Sequence, residues 1–274
     1  MKRTYVVTGA ASGIGAATKR YVQERGGRVI TCNLRDADVI ADLTTALGRA
    51  ALVDGVTRLS EGHIDAIAAN AGGGPPETSP SLNYFGAVAT LEGLRPLLNT
   101  SPAPRAVAVS SVAALRPPIP TLVEACLNMD EDAAITVARD RIAAAKHMPA
   151  DADSAAIEAG LSVYGSAKGV LQLWCRRAAP TLAWAGAAIP LNVIALGFFD
   201  TPAAAYVLSN PDARAAMSRL ARLRGAYPGR PEEAAAALFW CVSAENSQMT
   251  GQVLYVDAGI ECLARGSGRN DQPS

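Results

Sequence analysis

Tyr164 and Lys168 stand four positions apart in the stretch Tyr164-Gly-Ser-Ala-Lys168, and a serine pair, Ser110-Ser111, lies upstream of them. On a helix that spacing puts both side chains on one face, a turn apart. An ammonium beside a phenol stabilises the phenolate, so the tyrosine can give or take a proton near neutral pH. A lone Tyr-x-x-x-Lys spacing is common on ordinary helices. Here it is joined to a glycine-rich turn near the N-terminus, Thr8-Gly-Ala-Ala-Ser-Gly-Ile-Gly15. The pair and the turn together point to a nicotinamide-dependent oxidoreductase.

The elements that must carry these residues read as an α/β fold. Short apolar runs alternate with helix-like segments, as in a Rossmann-type, doubly wound parallel sheet with helices on both faces. Strands are expected at residues 4–8, 28–32, 66–69, 106–110, 191–195 and 253–257, and helices at 13–25, 45–59, 81–98, 161–185 and 231–243. Gly9, Gly13 and Gly15, with Ser12 and Ile14 between them, fall between the first strand and the first helix. Glycine permits the tight turn and the close approach of backbone to pyrophosphate, and the helix N-terminus offers its amides to the phosphates. After the second strand an acidic residue would hold the ribose of NAD, and a basic one the extra phosphate of NADP. The chain has Asn33 and Arg35 there, which leaves the choice open. With no basic residue in the glycine turn, NAD(H) is favoured over NADP(H). Asp42 and Leu43 are expected to contact the adenine.

Between Ser111 and Tyr164 lies a stretch, 117–160, rich in Ala, Asp and Glu. Ile135, Ala138, Ile142 and Ala145 recur at helical spacing, which predicts a helical insertion, either a surface element or a flap over the substrate. The chain is expected to form one domain over 1–264, with a polar, disordered tail at 265–274. Its 274 residues are half apolar, and 25 basic side chains balance 25 acidic ones. Nothing in that balance argues for nucleic acid or an anionic membrane. No apolar run is long enough to span a bilayer, no leader is legible before the first strand, and the five cysteines are scattered. These features predict a cytoplasmic enzyme with a small-molecule substrate, no metal and inert buried thiols.

With these residues in hand, the chain resembles the short-chain dehydrogenases/reductases over about residues 4–260. The family's cofactor turn appears as Thr8-Gly9-x-x-x-Gly13-Ile14-Gly15. Its Asn-Asn-Ala-Gly strand end appears as Ala69-Asn70-Ala71-Gly72, with the first asparagine lost. The Asn-x-x-x-Pro-Gly segment appears as Asn192 to Gly197 with Leu196 in place of proline, and the closing Asp-Gly-Gly as Asp257-Ala258-Gly259. The resemblance implies that Asn83, Ser111, Tyr164 and Lys168 are catalytic. It also implies that Asn70, Ala71, Gly72 and Gly197 line the cofactor, that Thr201 holds the nicotinamide carboxamide, and that Tyr164 and Lys168 touch the nicotinamide half. Within the family the look is toward the bacterial 3α-hydroxysteroid dehydrogenase/carbonyl reductase group. Three features carry this: the run Arg35 to Leu43, the short path from Gly72 to Asn83, and the 53 positions between Ser111 and Tyr164.

The implied reaction moves a hydride between nicotinamide and a secondary alcohol or ketone, with a homo-oligomer, dimer or tetramer, as the working form. An apolar substrate, hydroxysteroid-like or an aryl carbonyl, follows from Tyr206, Val207, Leu208, Met217, Leu220 and Leu223 after Thr201, with a rim of Val112, Leu196, Phe198 and Phe199. Arg219, Arg222 and Arg224 leave an anionic substrate open. Alternatives are the same fold acting on aryl alcohols of the coniferyl type, or a non-catalytic dinucleotide sensor. A dehalogenase-like lyase on this scaffold would have lost the glycine turn, which is intact here.

Overall fold

The computed structural model describes residues 2–147, 152–225 and 227–266, and their side chains except those of 152, 153, 206 and 207. Seven strands form one wholly parallel sheet: β1 (Thr4–Thr8), β2 (Arg28–Asn33), β3 (Val39–Ile40), β4 (Ala66–Ala69), β5 (Arg105–Ser111), β6 (Leu191–Leu196) and β7 (Val253–Val256). Their order is β3-β2-β1-β4-β5-β6-β7. Chain direction across the sheet reverses between β1 and β4, so a crevice opens at the C-terminal ends of these two strands. Open α/β sheets bind ligands there. β1 aligns with β2 from Thr4 opposite Arg28 to Thr8 opposite Cys32, and with β4 from Tyr5 opposite Ala66.

A parallel sheet is covered on both faces, so its strands are nearly continuous apolar runs. Val6 faces one side of β1; Tyr5 and Val7 face the other. On the first side pack α2 (Ala46–Ser60), α3 (Ala87–Leu94), α4 (Pro120–Leu127), α5 (Glu131–Lys146) and α6 (Ala152–Ala178), through Leu52, Leu91, Leu122, Ile142 and Leu171. On the second lie α1 (Gly13–Glu24) and, later in the chain, α9 (Pro231–Val242), through Val22 and Leu238. Short helices α7 (Ala205–Leu208) and α8 (Pro211–Leu220) follow β6, and α10 (Ile260–Gly266) follows β7. Among the described residues, no helix is long and apolar enough to cross a membrane.

Several boundaries differ from the sequence expectation, each for a local reason. The two-residue β3 carries no period that a sequence reading could detect. The helix expected over 81–98 is a π turn (Ser81–Gly86), then α3, then a 3₁₀ turn at Arg95–Leu98 that accommodates Pro96. The helix expected over 161–185 stops at Ala178, ahead of Pro180, and begins already at Ala152. Among the described residues, the stretch 117–160 therefore holds α4, α5 and the start of the same helix that carries Tyr164. α10 runs to Gly266, two residues beyond the expected domain end, so 265 and 266 are helical; 267–274 lie outside the described residues.

Candidate active site

The glycine turn is built by close approaches that side chains would block. Gly9 (φ +70°) gives its N–H to the Cys32 carbonyl at 2.8 Å, and a Cβ on it would lie 2.9 Å from the Ala71 Cα. A Cβ on Gly15 would meet the Gly9 carbonyl oxygen at 2.1 Å. Ser12, the residue before α1, makes no side-chain capping bond, so the helix's first amides are left for a ligand. Gly13 (φ +51°) faces Thr201: a Cβ there would be 3.2 Å from the threonine's Cβ and Cγ2. The expected carboxamide-holding residue thus sits against the turn, though 188 positions separate them in the chain. Ile14, at the start of α1, packs partly buried on the α9 side of the sheet. A buried pyrophosphate fits this cradle: bare amides, a helix dipole and no competing side chain.

Thr8, not singled out from the sequence, locks the second wall. Its hydroxyl accepts from the N–H groups of Asn70 and Ala71, both at 3.0 Å, and its carbonyl from Asn70 Nδ2 at 3.0 Å. Its signal was its place as the last residue of β1, immediately before the turn. At the far end of the groove, Asn33 Nδ2 donates to the Arg35 carbonyl at 3.1 Å, a bond that does not use Oδ1. Arg35 is exposed. The nearby Asp38 carboxylate is occupied, accepting from Thr31 N–H at 2.8 Å and Thr31 Oγ1 at 2.7 Å. Asp42 Oδ1 accepts from the Thr44 N–H and hydroxyl at 2.9 and 2.7 Å, and Leu43 is buried.

Lys168 is 2% exposed, and its Nζ donates to the Val109 carbonyl at 2.8 Å. Desolvation pushes its amine down to about 7, since an ammonium is costly in an apolar interior. Nζ lies 5.8 Å from the centre of the Tyr164 ring. Asn83 is fully buried inside the π turn, and its amide is committed. Nδ2 donates to the Gly73 carbonyl, the Ser79 carbonyl and Ser79 Oγ, each at 3.0 Å, while Oδ1 accepts from Gly73 N–H at 3.1 Å. π turns recur at functional sites. Gly72 closes the circle: a Cβ on it would be 3.0 Å from both Asn83 Oδ1 and Lys168 Nζ, so glycine keeps the space between the two open.

Ser111 ends β5, and its Oγ accepts from the Ala113 N–H at 3.2 Å, capping the 3₁₀ turn Val112–Leu115 while its own proton stays available. α6 packs directly on that turn: a Cβ on Gly165 would be 2.4 Å from the Ala113 carbonyl oxygen. Ser110 ties the two elements together, donating to the Lys168 carbonyl at 3.0 Å and accepting from Gln172 Nε2 at 2.9 Å. Gly197 lets β6 approach β7 closely, its absent Cβ falling 2.7 Å from the Asp257 Cα.

The expected substrate-facing residues divide. Phe198, Phe199 and Leu223, together with Tyr227, which the sequence did not single out, line a cavity of about 230 Å³ between the ends of β6 and β7 and the segment after α8. Leu196 is a core residue on the α9 face, which corrects its placement at a rim, and Phe199 is buried against the same core while lining the cavity. Met217 and Leu220 are at least partly exposed, and the side chains of Tyr206 and Val207 lie outside the described ones. Among the described residues no group of three or more His, Cys, Asp or Glu could hold a metal. Four cysteines are buried, with burial pushing the Cys32, Cys126 and Cys241 thiols up to about 12; Cys262 is exposed.

Known proteins resemble the chain along its length. A family described as enoyl-(acyl carrier protein) reductase matches residues 137–261. The 3-alpha-hydroxysteroid dehydrogenase/carbonyl reductase of Comamonas testosteroni is 31% identical over 95% of this chain and 97% of its own. The cis-4-hydroxycyclohexanecarboxylate dehydrogenase of Sinomonas cyclohexanicum is 32% identical over 96% and 98%. The crystal structure of the 3-alpha-hydroxysteroid dehydrogenase from Pseudomonas sp. B-0831, complexed with NADH, superposes with a TM-score of 0.83 at 31% identity, covering 97% of this chain and all of that one.

Proposed function

Because the chain belongs to the short-chain dehydrogenase/reductase family, oxidoreductases that act on CH–OH groups, we propose that it interconverts an apolar secondary alcohol and its ketone with NAD(H). The observation that carries this reading is the space walled by Gly72, with Lys168 Nζ and Asn83 Oδ1 on either side and Tyr164 a turn away, at the foot of a phosphate-binding turn.

In this reading the bound nicotinamide supplies or takes the hydride. Tyr164 gives the proton to the carbonyl oxygen, or removes it from the alcohol. Lys168 holds the nicotinamide ribose and supports the charge on Tyr164. Ser111, its hydroxyl proton free, donates to the substrate oxygen as charge develops there, a contact worth about 3–4 kcal/mol in comparable sites. With its Nδ2 committed, Asn83 serves by fixing Gly73 and by presenting Oδ1 to the space beside Gly72, which keeps room for water between Lys168 and the outside. The glycine turn and the start of α1 hold the pyrophosphate, Asn70 to Gly72 and Gly197 border the cofactor, and Thr201 holds the carboxamide.

NAD(H) is favoured because the glycine turn carries no basic residue, Asn33 can accept from a ribose hydroxyl through Oδ1, and exposed Arg35 is the sole cation of that loop. The hydroxysteroid and hydroxycyclohexanecarboxylate dehydrogenases among its relatives act on alcohols carried by saturated rings. Phe198 and Leu223, two of the residues expected to face the substrate, supply apolar surface after β6 that suits the ring of such an alcohol. The working form is a homo-oligomer; light scattering that returns a monomer at assay concentration rejects that element.

The test follows nicotinamide absorbance with the purified protein, NAD and NADP in turn, against ring alcohols, hydroxysteroids and aryl alcohols. Tyr164→Phe should lower kcat at least about a thousandfold, roughly 4 kcal/mol of barrier, with cofactor affinity nearly unchanged. A near-normal rate in that variant removes Tyr164 from the mechanism. Cofactor binding without turnover across the whole panel would favour a sensor instead.

A further inference from the structure

Arg49 lies in the first turn of α2, where a cation opposes the positive end of the helix dipole. Its side chain is only 14% exposed, so it must be held there by partners. Nε donates to the Leu43 carbonyl at 2.8 Å. Nη1 and Nη2 make a two-pronged pair with the Glu131 carboxylate, each contact 2.6 Å. Nη2 also donates to the Ser81 carbonyl at 3.0 Å. The Phe85 ring lies 5.9 Å from the guanidinium.

These partners come from three segments with different tasks. Leu43 belongs to the loop after β3, at the adenine end of the groove. Ser81 opens the π turn that holds Asn83 beside Lys168. Glu131 is in the first turn of α5, in the stretch between Ser111 and Tyr164. The first two carbonyls converge at one point: a Cβ on Gly86 would lie 2.9 Å from the Leu43 oxygen and 3.2 Å from the Ser81 oxygen. A planar guanidinium can serve two carbonyls and a carboxylate at once; a lysine ammonium on its own stem cannot reproduce that fork.

We propose that Arg49 is a positioning residue for both ends of the cofactor groove, and that its pairing with Glu131 makes α5 a determinant of cofactor affinity. The inference rests on the dehydrogenase reading. Fixing the Leu43 carbonyl sets the adenine loop, and fixing the Ser81 carbonyl sets the turn on which Asn83, Gly72 and Gly73 depend. Glu131 keeps the guanidinium in place, since without it a partly buried cation turns toward water and both carbonyls lose their donor.

The experiment compares Arg49→Lys, Arg49→Met, Glu131→Gln, Glu131→Ala and the double variant Arg49→Lys/Glu131→Ala, with Lys146→Ala as control. Lys146 lies at the other end of α5 and pairs with Glu77 at 3.5 Å, an exposed contact away from Arg49. The readouts are dissociation constants for NAD by calorimetry, kcat and KM for a turned-over alcohol, and the pH–rate profile, with circular dichroism to confirm folding. Arg49→Lys and Glu131→Ala should each weaken NAD binding by about tenfold or more and displace the pH–rate profile, with the alcohol KM changed less than about twofold. The double variant should be no worse than the weaker single, Glu131→Gln, which keeps only one of the two acceptors, should fall between wild type and Glu131→Ala, and Lys146→Ala should stay close to wild type. If Arg49→Met fails to fold, the lysine variant and Glu131→Ala decide the matter. Folded Arg49→Lys and Glu131→Ala proteins with wild-type NAD affinity and pH profile overturn the proposal while the dehydrogenase reading stands. A wild-type protein that binds no dinucleotide defeats that reading first, and this proposal with it.

Discussion

Lys168 concentrates the electrostatics of the site in one atom. Burial holds its amine at about 7 rather than 10.5, whereas the unfolded chain keeps the ordinary value. Between those two values the unfolded state binds a proton that the folded state does not, so this group makes stability rise with pH from about 7 to 10.5. Below 7 the full cost of a buried ammonium is present. Lys168→Met should therefore melt higher than wild type at neutral pH without cofactor, and its melting temperature should climb less between pH 7 and 10. Parallel curves for the two proteins would show that the amine is not desolvated. The reduced dinucleotide, whose nicotinamide ring is neutral, adds only negative phosphate charge to the groove and favours the charged form of this amine. NADH binding near neutral pH should thus take up protons, seen as a binding enthalpy that changes with the buffer's ionisation enthalpy.

At the scale of elements, the site depends on how tightly α6 lies on the turn after β5. Gly165, next to Tyr164, has no room for a methyl group, since the backbone oxygen of Ala113 stands 2.4 Å from where it would go. Gly165→Ala should move α6 away from Ser111. The expected cost is about 1–3 kcal/mol of stability, with kcat falling far more than NAD affinity. A variant that loses both equally would mean that the helix also shapes the cofactor groove. Much of this was legible in the residues. Strands β1 and β4 match their expected limits, because Tyr5-Val-Val7 and Ala66-Ile-Ala-Ala69 are short apolar runs closed by polar or charged residues. Gly9 to Gly15 could be read because only backbone can pass there. What could not be read depends on contacts distant in sequence. Thr8 clasps Asn70, Thr201 stands against Gly13, and Arg49 reaches Glu131, and no local pattern records any of these. α6 was mislocated at both ends: it starts nine residues ahead of the expected limit, where no apolar period announces it, and Pro180 was not given its weight as a stop.

Considered as a whole, the molecule is one parallel sheet whose strand order opens a crevice where the chain reverses direction. A ligand that binds only the folded state stabilises it by about 2.7 kcal/mol at a hundred times its dissociation constant. For a chain of this size that is a rise of roughly 5 °C in melting temperature. NAD should give that shift at lower concentration than NADP; the reverse order would transfer the cofactor preference to NADP and assign Arg35 to its phosphate. Asn33→Asp should widen the gap in favour of NAD by about tenfold, as a carboxylate repels the extra phosphate.

The strand order also sets a timetable. The glycine turn, its partner strand β2 and the Thr8–Asn70 clasp are all present once the first 72 residues are available, and β1 pairs with β2 across a short helix. The turn after Ser111 and the helix that carries Tyr164, by contrast, meet only after α6 docks, which needs a loop closure spanning more than fifty residues. Since near contacts form before distant ones, a chain emerging from synthesis acquires the means to grip a phosphate well before it can move a proton.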